Sequence, residues 1–190
     1  HGYYMSRDPF GARGDFITAP EVSQAFGELI GIWCLSAWQA MGAPAPFNLV
    51  ELGPGRGTLM SDILRTARKA MADFANAATV HLVEISPVLR RLQKSALGAD
   101  VVWHDSLETI PEGPMVLVAN EFFDAIPIRQ FERRNGAWLE RVIGIEKDRL
   151  SLGLVSADIG NGGRDDDIVE FAPARTDIAR AIGERLARRA

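Results

Sequence analysis

Hydrophobic residues along the chain fall into two alternating patterns. Four short, largely apolar runs have the length of β-strands and cover residues 49–52, 79–84, 101–104 and 115–119. The segments between these runs carry apolar residues three and four positions apart, which is the spacing of amphipathic helices. The last run is continuous and apolar, so we expect a strand that is buried on both faces. Strands that alternate with helices predict an α/β fold with a parallel sheet and right-handed crossovers.

The first helix is predicted from its start signal and from its spacing. Thr18 is a candidate N-cap, and Glu21 follows it by three residues, as in a capping box. The expected apolar face comprises Val22, Phe26, Leu29, Ile30, Trp33 and Ala37. Gly42 should end this helix. Gly27 and Gly31 lie one turn apart within it, and we interpret them as sites of close packing on the sheet.

The pattern changes after residue 127. Asn135-Gly136 lies between alternating runs and predicts a β-hairpin, which a further strand over residues 150–155 extends. The polar loop 161–167 lacks the full ligand spacing of a calcium site, and we interpret it as a solvated charge run. Residues 176–190 have the spacing of a basic amphipathic helix. The residues expected to dock this helix are Ile178, Ile182 and Leu186.

These patterns predict two parts. Residues 1–127 should form a core with an N-terminal lid loop and helix, and residues 128–190 an antiparallel hairpin appendage with an amphipathic helix. After residue 155 the one apolar strand signal covers residues 168–171. We therefore expect the sheet to be incomplete in this chain, with the remainder of the domain missing. The chain begins with His1 rather than Met, which fits a start within a longer protein.

Composition excludes several classes of partner. The net charge of −4 and the pI near 5.4 provide no general attraction to nucleic acid. No apolar run reaches the ~20 residues that span a bilayer, so we expect no membrane insertion. The single cysteine, Cys34, rules out a disulfide framework and suits a reducing compartment, and its apolar neighbours predict a buried structural thiol. The composition suits a bacterial cytoplasm and is compatible with a mitochondrial matrix.

The most informative stretch joins the first apolar run to a helix through three alternating glycines. Gly53, Gly55 and Gly57 permit backbone angles that other residues avoid and let a ligand approach the backbone. A dinucleotide fingerprint needs a further glycine where this chain has Thr58 or Met60, and no lysine completes a phosphate loop. What remains is acidic-x-Gly-x-Gly-x-Gly beginning at Glu51. It resembles the first motif of S-adenosylmethionine-dependent methyltransferases.

Polar residues at the ends of the next two strands extend this site. Ligands of open parallel sheets bind outside the carboxyl ends of the strands. Glu84 ends the second run, where its carboxylate can accept hydrogen bonds from both hydroxyls of a ribose. Asp105 and Ser106 end the third run, where they can contact an adenine amino group and ring. With Glu51 and the glycines, these residues are our candidates for binding S-adenosylmethionine.

Asn120, Glu121 and Asp124 follow the fourth run and are the candidate catalytic residues. Methyl transfer is an in-line displacement, for which a protein mainly supplies proximity and alignment. An amide and carboxylates can hold the N–H groups of a nitrogen nucleophile. A guanidinium stays protonated in water, and a bidentate carboxylate can orient it. Glu121 is the first candidate for this role and Asp124 the second, against the alternative of acidic residues that only stabilise a helix N-terminus.

Five ordered motifs together resemble the MidA-like family, which comprises mitochondrial complex I assembly methyltransferases and their bacterial relatives. They are residues 8–21, Phe26-Gly-Glu-Leu-x-Gly, Leu52-Gly-Pro-Gly-Arg-Gly-Thr-Leu-Met, His81-Leu-Val-Glu-x-Ser-Pro and Asn120-Glu-Phe-Phe-Asp-Ala-x-Pro. The resemblance implies a Rossmann-like seven-stranded methyltransferase sheet. In the mitochondrial members it implies symmetric dimethylation of an arginine in a complex I subunit. It also implies that the loop from Asp8 to Thr18 folds over the donor, which makes Asp15 a site candidate.

The leading hypothesis is a protein-arginine N-methyltransferase that uses S-adenosylmethionine and needs no metal. Its partner would be a protein that presents an arginine, such as a subunit of respiratory complex I. A small-molecule N-methyltransferase is the close alternative. A non-catalytic assembly chaperone that retains the fold is an alternative of a different class, and an NAD-linked dehydrogenase is a distant one. The carboxylates after the fourth strand favour catalysis, since a binding module needs no carboxylates at the methyl position.

Overall fold

The computed structural model describes residues 15–187 of the chain. The chain divides into two compact units, His1–Phe122 and Phe123–Ala190. The first unit contains β1 (Phe47–Leu52), β2 (Ala78–Val83), β3 (Val101–His104) and β4 (Met115–Val118). Its helices are α1 (Ala19–Val22), α2 (Gln24–Ala40), α3 (Thr58–Ala70), α4 (Ala72–Ala77), α5 (Pro87–Leu97) and a 3-10 turn over Leu107–Thr109.

The four strands of the first unit form one parallel sheet in the order β3-β2-β1-β4. This arrangement confirms the predicted α/β class. The glycine turn follows β1, which is a central strand buried along its whole length. Because these strands run parallel, the carboxyl ends of β1, β2 and β4 lie at the same end of the sheet. The apolar residues of β1, α2, α3 and α4 pack into a single core.

β4 is only partly buried, which corrects the prediction of a strand covered on both faces. It pairs with β1 alone and forms the edge of the sheet within the described residues. Val116 is the one fully buried residue of the strand. The continuous apolar run therefore predicted the strand correctly but not the extent of its burial.

The first helix begins differently from its prediction. A single turn, α1, ends at Ser23, whose extended backbone separates it from α2. The Ser23 hydroxyl accepts a hydrogen bond from the Ala25 N–H and so caps α2, while Thr18 makes no side-chain cap. The predicted capping box is wrong, because the Glu21 carboxylate contacts α3 instead of the backbone beside Thr18.

The buried face of α2 is also different from the predicted one. Its fully buried residues are Gly27, Gly31, Cys34, Leu35 and Trp38. Val22, Leu29 and Trp33 are 72%, 71% and 58% exposed, although the spacing assigned them to the apolar face. The two glycines do pack closely, as predicted, but their partner is α3 rather than the sheet: Gly27 lies against Asp62, and Gly31 lies against Ile63 and Thr66. Cys34 is completely buried, as predicted, and this burial raises the pKa of its thiol to about 12.

A chain of polar side chains crosses the parallel sheet. The Asn48 amide donates to the Pro111 carbonyl at 3.0 Å, and its oxygen lies 3.1 Å from Nε2 of His81. Nδ1 of His81 lies 2.9 Å from Nε2 of His104, and Nδ1 of His104 lies 2.8 Å from the Thr109 hydroxyl. Burial and the neighbouring His104 lower the pKa of His81. These contacts tie β1, β2 and β3 to the turn that follows β3.

The second unit is an antiparallel sheet of β5 (Arg129–Arg134), β6 (Ala137–Glu146), β7 (Arg149–Ala157) and β8 (Ile168–Phe171), in the order β7-β6-β5-β8. Asn135 and Gly136 form the predicted hairpin turn with φ angles of 51° and 78°. The pairing of β5 with β6 and of β6 with β7 confirms the antiparallel appendage. The loop 161–167 is docked on this sheet, because Gly162 accepts hydrogen bonds from Arg133 and Trp138.

The final helix, α6 (Pro173–Ala187), begins earlier than predicted. Ile178 and Ile182 are partly buried, as the amphipathic pattern requires. Leu186 is 57% exposed, and none of the described residues of this helix is fully buried. The predicted docking through all three side chains is therefore only partly correct.

Candidate functional site

The glycine turn has the backbone conformation that its sequence predicts. Gly53, Gly55 and Gly57 have φ angles of 63°, 54° and 84°, a region that other residues seldom occupy. At Gly53 a Cβ would also lie 2.7 Å from the ring of Phe122, so the position has no room for a side chain. Gly57 is the N-cap of α3, and it leaves the N-terminus of that helix without a side-chain cap of its own. The turn therefore presents bare backbone and a helix N-terminus to the same space.

Glu51, in the last part of β1, is the most unusual residue of this site. Its side chain is 2% exposed, and burial raises its pKa to about 8 against the opposing effect of a hydrogen bond from the Met60 backbone. Its Oε2 atom has no hydrogen-bond partner among the described residues. A buried carboxylate oxygen without a partner is costly, and it is a ready acceptor for a cationic ligand group.

Glu84 lies at the end of β2 and is held firmly by the chain. Its Oε1 atom accepts the Ser86 N–H at 2.8 Å, and its Oε2 atom lies 3.4 Å from the side-chain nitrogen of Gln93. Burial is the main effect on Glu84 and raises its pKa. The carboxylate is thus oriented before any ligand binds.

Gln93 connects this carboxylate to the glycine turn. Its side-chain nitrogen donates to the Gly55 carbonyl at 2.7 Å, and its oxygen accepts the indole N–H of Trp103 at 2.8 Å. The residue is completely buried on α5. Its three contacts join the turn after β1, the end of β2 and β3. Sequence reasoning missed Gln93, although a polar residue one turn after the buried Leu89 was an available signal.

Asp105 and Ser106 follow β3 at the expected position. The Asp105 side chain is 84% exposed and forms an ion pair with Arg90 at 2.7 Å. Ser106 is half-buried, and its carbonyl accepts the Thr109 hydroxyl at 3.0 Å. Arg90 also donates to the carbonyls of Glu84 and His104, so it fixes the ends of β2 and β3 side by side.

The segment after β4 brings its first two candidate residues to the glycine turn. Glu121 has a φ angle of 48°, a conformation that is uncommon for a residue with a side chain and is often found at functional sites. Its Oε1 atom lies 3.4 Å from the backbone nitrogen of Ala19 at the start of α1. Asp124 belongs to the second unit, beyond the division that follows Phe122.

α1 contacts both the glycine turn and the segment after β4. The Thr58 hydroxyl donates to Oε1 of Glu21 at 2.5 Å, and Nη1 of Arg56 lies 3.4 Å from Oε2 of Glu21. Glu21 was expected to cap its own helix, and its role at the glycine turn was not foreseen. No periodicity in the sequence could indicate it, because the contact crosses 37 positions of the chain.

A cleft joins these elements. Its walls are formed by Thr18, Pro20, Glu21, Glu51, Gly53, Pro54, Gly55, Arg56, Thr58, Leu59, Asn120 and Glu121. Of the predicted site residues, this cleft unites Glu51, Gly53 and Gly55 with Asn120 and Glu121. Gly57, Glu84, Asp105 and Ser106 do not line it.

Three further observations describe the surroundings of the cleft. Asp15 is exposed and lies at the start of the described residues, while residues 8–14 of the predicted lid, which runs from Asp8 to Thr18, lie outside them. Within residues 15–187, no group of three or more His, Cys, Asp or Glu side chains could hold a metal ion. No helix in this part of the chain is long and apolar enough to cross a membrane.

Residues 29–190 match the model of a protein family described as "Putative S-adenosyl-L-methionine-dependent methyltransferase". The chain belongs to this methyltransferase family. The match covers both units, so the hairpin sheet is included in the family's pattern. It confirms the family resemblance drawn from the motifs, and it confirms S-adenosylmethionine as the family's cofactor.

Curated relatives of this methyltransferase family member are mitochondrial enzymes. A protein arginine methyltransferase NDUFAF7 homolog from Drosophila melanogaster is 43% identical over 167 residues, which cover 76% of this chain and 38% of that protein. The protein arginine methyltransferase NDUFAF7 of Homo sapiens is 40% identical over 169 residues, with 76% and 38% covered. The chain thus spans less than half the length of these two relatives.

A solved structure shares the fold of this family member. It is a Burkholderia thailandensis protein with bound S-adenosyl-homocysteine, which superimposes with a TM-score of 0.73 at 25% identity. The similarity covers 92% of this chain and 48% of the Burkholderia thailandensis protein. The Rossmann-like methyltransferase architecture predicted from the motifs is confirmed by this likeness and by the parallel sheet.

Proposed function

We propose that this chain forms the donor-binding half of an S-adenosylmethionine-dependent protein-arginine N-methyltransferase. One observation carries the proposal: the glycine turn and Glu51, whose buried Oε2 atom has no partner within residues 15–187, share a cleft with the exposed carboxylate of Glu121. The relatives named as protein arginine methyltransferases support the choice of arginine as the acceptor.

The residues of the cleft fit a zwitterionic, positively charged donor. Three glutamates and one arginine line it. A cationic group is favoured beside Glu121 and an anionic group beside Arg56, while a cationic group beside Glu51 would favour the ionised form of that side chain. Glycines 53 and 55 leave room for a ligand to lie against the backbone. We assign the donor's ammonium to Glu51, its ribose hydroxyls to Glu84 and its adenine to Asp105 and Ser106. The donor supplies an electrophilic methyl group on a sulfonium.

Glu121 and Asn120 would hold the methyl acceptor. A guanidinium N–H group hydrogen bonded to the Glu121 carboxylate keeps positive charge near that carboxylate and turns another nitrogen towards the methyl group. Alignment of this kind is the main contribution that a protein makes to a displacement reaction. When the new N–C bond forms and the C–S bond breaks, the nitrogen loses a proton, which a nearby carboxylate or water accepts. Asp124 remains the second candidate, after Glu121, for orienting the guanidinium.

We further propose that the acceptor is a protein with an accessible arginine, such as a subunit of respiratory complex I. The compartment would be the mitochondrial matrix, or the cytoplasm if the chain is bacterial. The mitochondrial names of the relatives support the first of these.

The test uses radiolabelled S-adenosylmethionine with complex I subunits as acceptors. Glu121→Gln should lower the transfer rate by about 100-fold or more, since misalignment of a reacting group has effects of that size. Glu28→Gln is the matched control, because Glu28 lies on α2 and does not line the cleft. Equal labelling by wild type and Glu121→Gln would contradict the assignment of Glu121. Donor binding without any labelling would favour an assembly chaperone, and labelling of small amines alone would favour a small-molecule N-methyltransferase.

A further inference from the structure

We propose that Glu21 occupies the position that binds the amino-acid carboxylate of the methyl donor, and that its displacement frees Glu121 for the methyl acceptor. This inference rests on the proposed function and adds a gating residue to it. Glu21 would make donor binding depend on the donor's free carboxylate, and it would place donor binding before acceptor binding.

The partners of Glu21 form a carboxylate-binding site. Arg56 supplies a guanidinium, and Thr58 supplies a hydroxyl in the first turn of α3, whose N-terminus favours negative charge. The Glu21 side chain is 17% exposed and lines the cleft, so a ligand carboxylate could reach the same partners from the cleft. Two carboxylates cannot share these partners without strong repulsion.

A second observation indicates an amino-acid ligand at this position. Glu51 lines the same cleft, and its buried Oε2 atom has no partner among the described residues. Met60, in the first turn of α3, donates its N–H to the Glu51 carboxylate, and Thr58 of the same turn binds Glu21. An acceptor for an ammonium and a site for a carboxylate therefore lie around one helix turn. This pair of sites matches an α-amino acid group.

Release of Glu21 would also affect Glu121. Both contacts are made by α1, because Glu21 binds Thr58 while the Ala19 N–H donates to the Glu121 carboxylate. α1 is one turn long and is joined to α2 through the extended backbone of Ser23. Displacement of Glu21 would let this turn move at Ser23 and break the contact between Ala19 and Glu121. Glu121 could then bind the acceptor.

The experiment compares two ligands by calorimetry. S-adenosylhomocysteine carries the amino-acid carboxylate, whereas 5′-methylthioadenosine lacks the whole amino-acid group. Glu21→Gln should bind S-adenosylhomocysteine several-fold more tightly than wild type, because a neutral amide competes less well for Arg56. Its affinity for 5′-methylthioadenosine should be unchanged, and Glu28→Gln should match wild type for both ligands.

A second measurement addresses the movement of α1 and does not depend on a variant. Hydrogen exchange of the amides of Ala19, Glu21 and Val22 should become faster when S-adenosylhomocysteine binds to wild type, and 5′-methylthioadenosine should not have this effect. If Glu21→Gln does not fold, Thr58→Val replaces it. This variant should weaken the binding of S-adenosylhomocysteine more than the binding of 5′-methylthioadenosine.

Two results would overturn the proposal and leave the proposed function intact. They are a selective loss of S-adenosylhomocysteine affinity in Glu21→Gln, which would make Glu21 a direct donor ligand, and slower exchange of α1 in the complex. If wild type binds neither ligand, the proposed function fails together with the gating role.

Discussion

Gly27 of α2 lies directly against Asp62 of α3, such that a Cβ atom at position 27 would be 2.5 Å from the Cβ atom of Asp62. Gly27→Ala should therefore force the two helices apart. We expect a net loss of about 1–2 kcal/mol in the free energy of unfolding, because overpacking costs about 1–3 kcal/mol and alanine regains up to about 1 kcal/mol of helix propensity. Urea unfolding measures the difference.

Gly183→Ala provides the control for this helix substitution. Gly183 lies on α6, and no heavy atom lies within 4 Å of a Cβ built there. Alanine should stabilise the protein at this position by up to about 1 kcal/mol. If Gly27→Ala were also stabilising, the close contact between α2 and α3 would be disproved.

Glu51 makes stability depend on pH in a defined direction. Its pKa is about 8 in the folded protein and near 4.5 in the unfolded chain, so the folded state retains a proton that the unfolded state releases. Its contribution to stability is complete below pH 4.5 and is lost as the pH rises through 8. Glu51→Gln removes this dependence. The stability difference between the variant and wild type should grow by about 1.4 kcal/mol per pH unit within that window.

Chemical unfolding at several pH values between 4 and 9 provides this measurement. Glu84 also has a raised pKa, but it is present in both proteins and cancels in the difference. Glu28 has a lowered pKa because of its hydrogen bond to Gln24, so Glu28→Gln should show no such gain. A stability difference between Glu51→Gln and wild type that does not change with pH would show that Glu51 is ionised in the folded protein. The variant should bind S-adenosylhomocysteine more weakly, since a neutral amide attracts the ammonium less than a carboxylate does.

Gln93→Leu should loosen the glycine turn while it preserves the size of the side chain. The substitution removes the hydrogen bonds to Gly55 and Glu84 and leaves the Trp103 indole N–H without its acceptor. A buried donor without a partner costs about 1–3 kcal/mol, so unfolding should become easier by about that amount. Donor affinity should fall as well.

Ser95→Ala serves as the control on the same helix. The Ser95 hydroxyl is exposed and donates to the Arg91 carbonyl one turn earlier. Both stability and donor affinity should stay within the range of wild type. If Gln93→Leu binds S-adenosylhomocysteine with unchanged affinity, the turn is held in place without Gln93.

The hairpin of the second unit offers a test that is independent of the donor site. Gly136 has a φ angle of 78° in the turn between β5 and β6, and Gly136→Ala should cost about 1 kcal/mol because side chains are strained in that region. Gly144 lies in β6 without a positive φ, and a Cβ atom added there would have no heavy atom within 4 Å. Gly144→Ala should be neutral or slightly stabilising. Thermal unfolding that ranks the two variants in the opposite order would contradict the turn geometry.

The strands and the glycine turn could be predicted closely because their signals are local. A short apolar run between turn signals favours a β-strand. Gly53 and Gly57 occupy backbone angles that few other residues tolerate. The Asn135-Gly136 turn belongs to the same class of local signal. The parallel pairing of the strands follows the expected pattern of α/β proteins.

The errors share one cause, which is competition between local and long-range partners. Glu21 has the spacing of a capping box, yet Thr58 and Arg56 are better partners for its carboxylate. The face of α2 was assigned by hydrophobic spacing, which cannot register that Gly27 and Gly31 pack tightly because they are small. Gln93 was overlooked because its partners Gly55, Glu84 and Trp103 lie 38, 9 and 10 positions away in the sequence.

The sequence by itself determined the fold class, the family and the position of the glycine turn, since these depend on backbone angles, on apolar spacing and on ordered motifs. The tertiary structure alone decided which carboxylates share the cleft and what each one binds. Glu51 has a buried oxygen without a partner in the described part of the chain, Glu84 is held by Ser86 and Gln93, and Glu21 accepts a hydrogen bond from Thr58 on α3. Charge and hydrogen bonding act through space, so identical residues acquire different roles from the side chains that surround them.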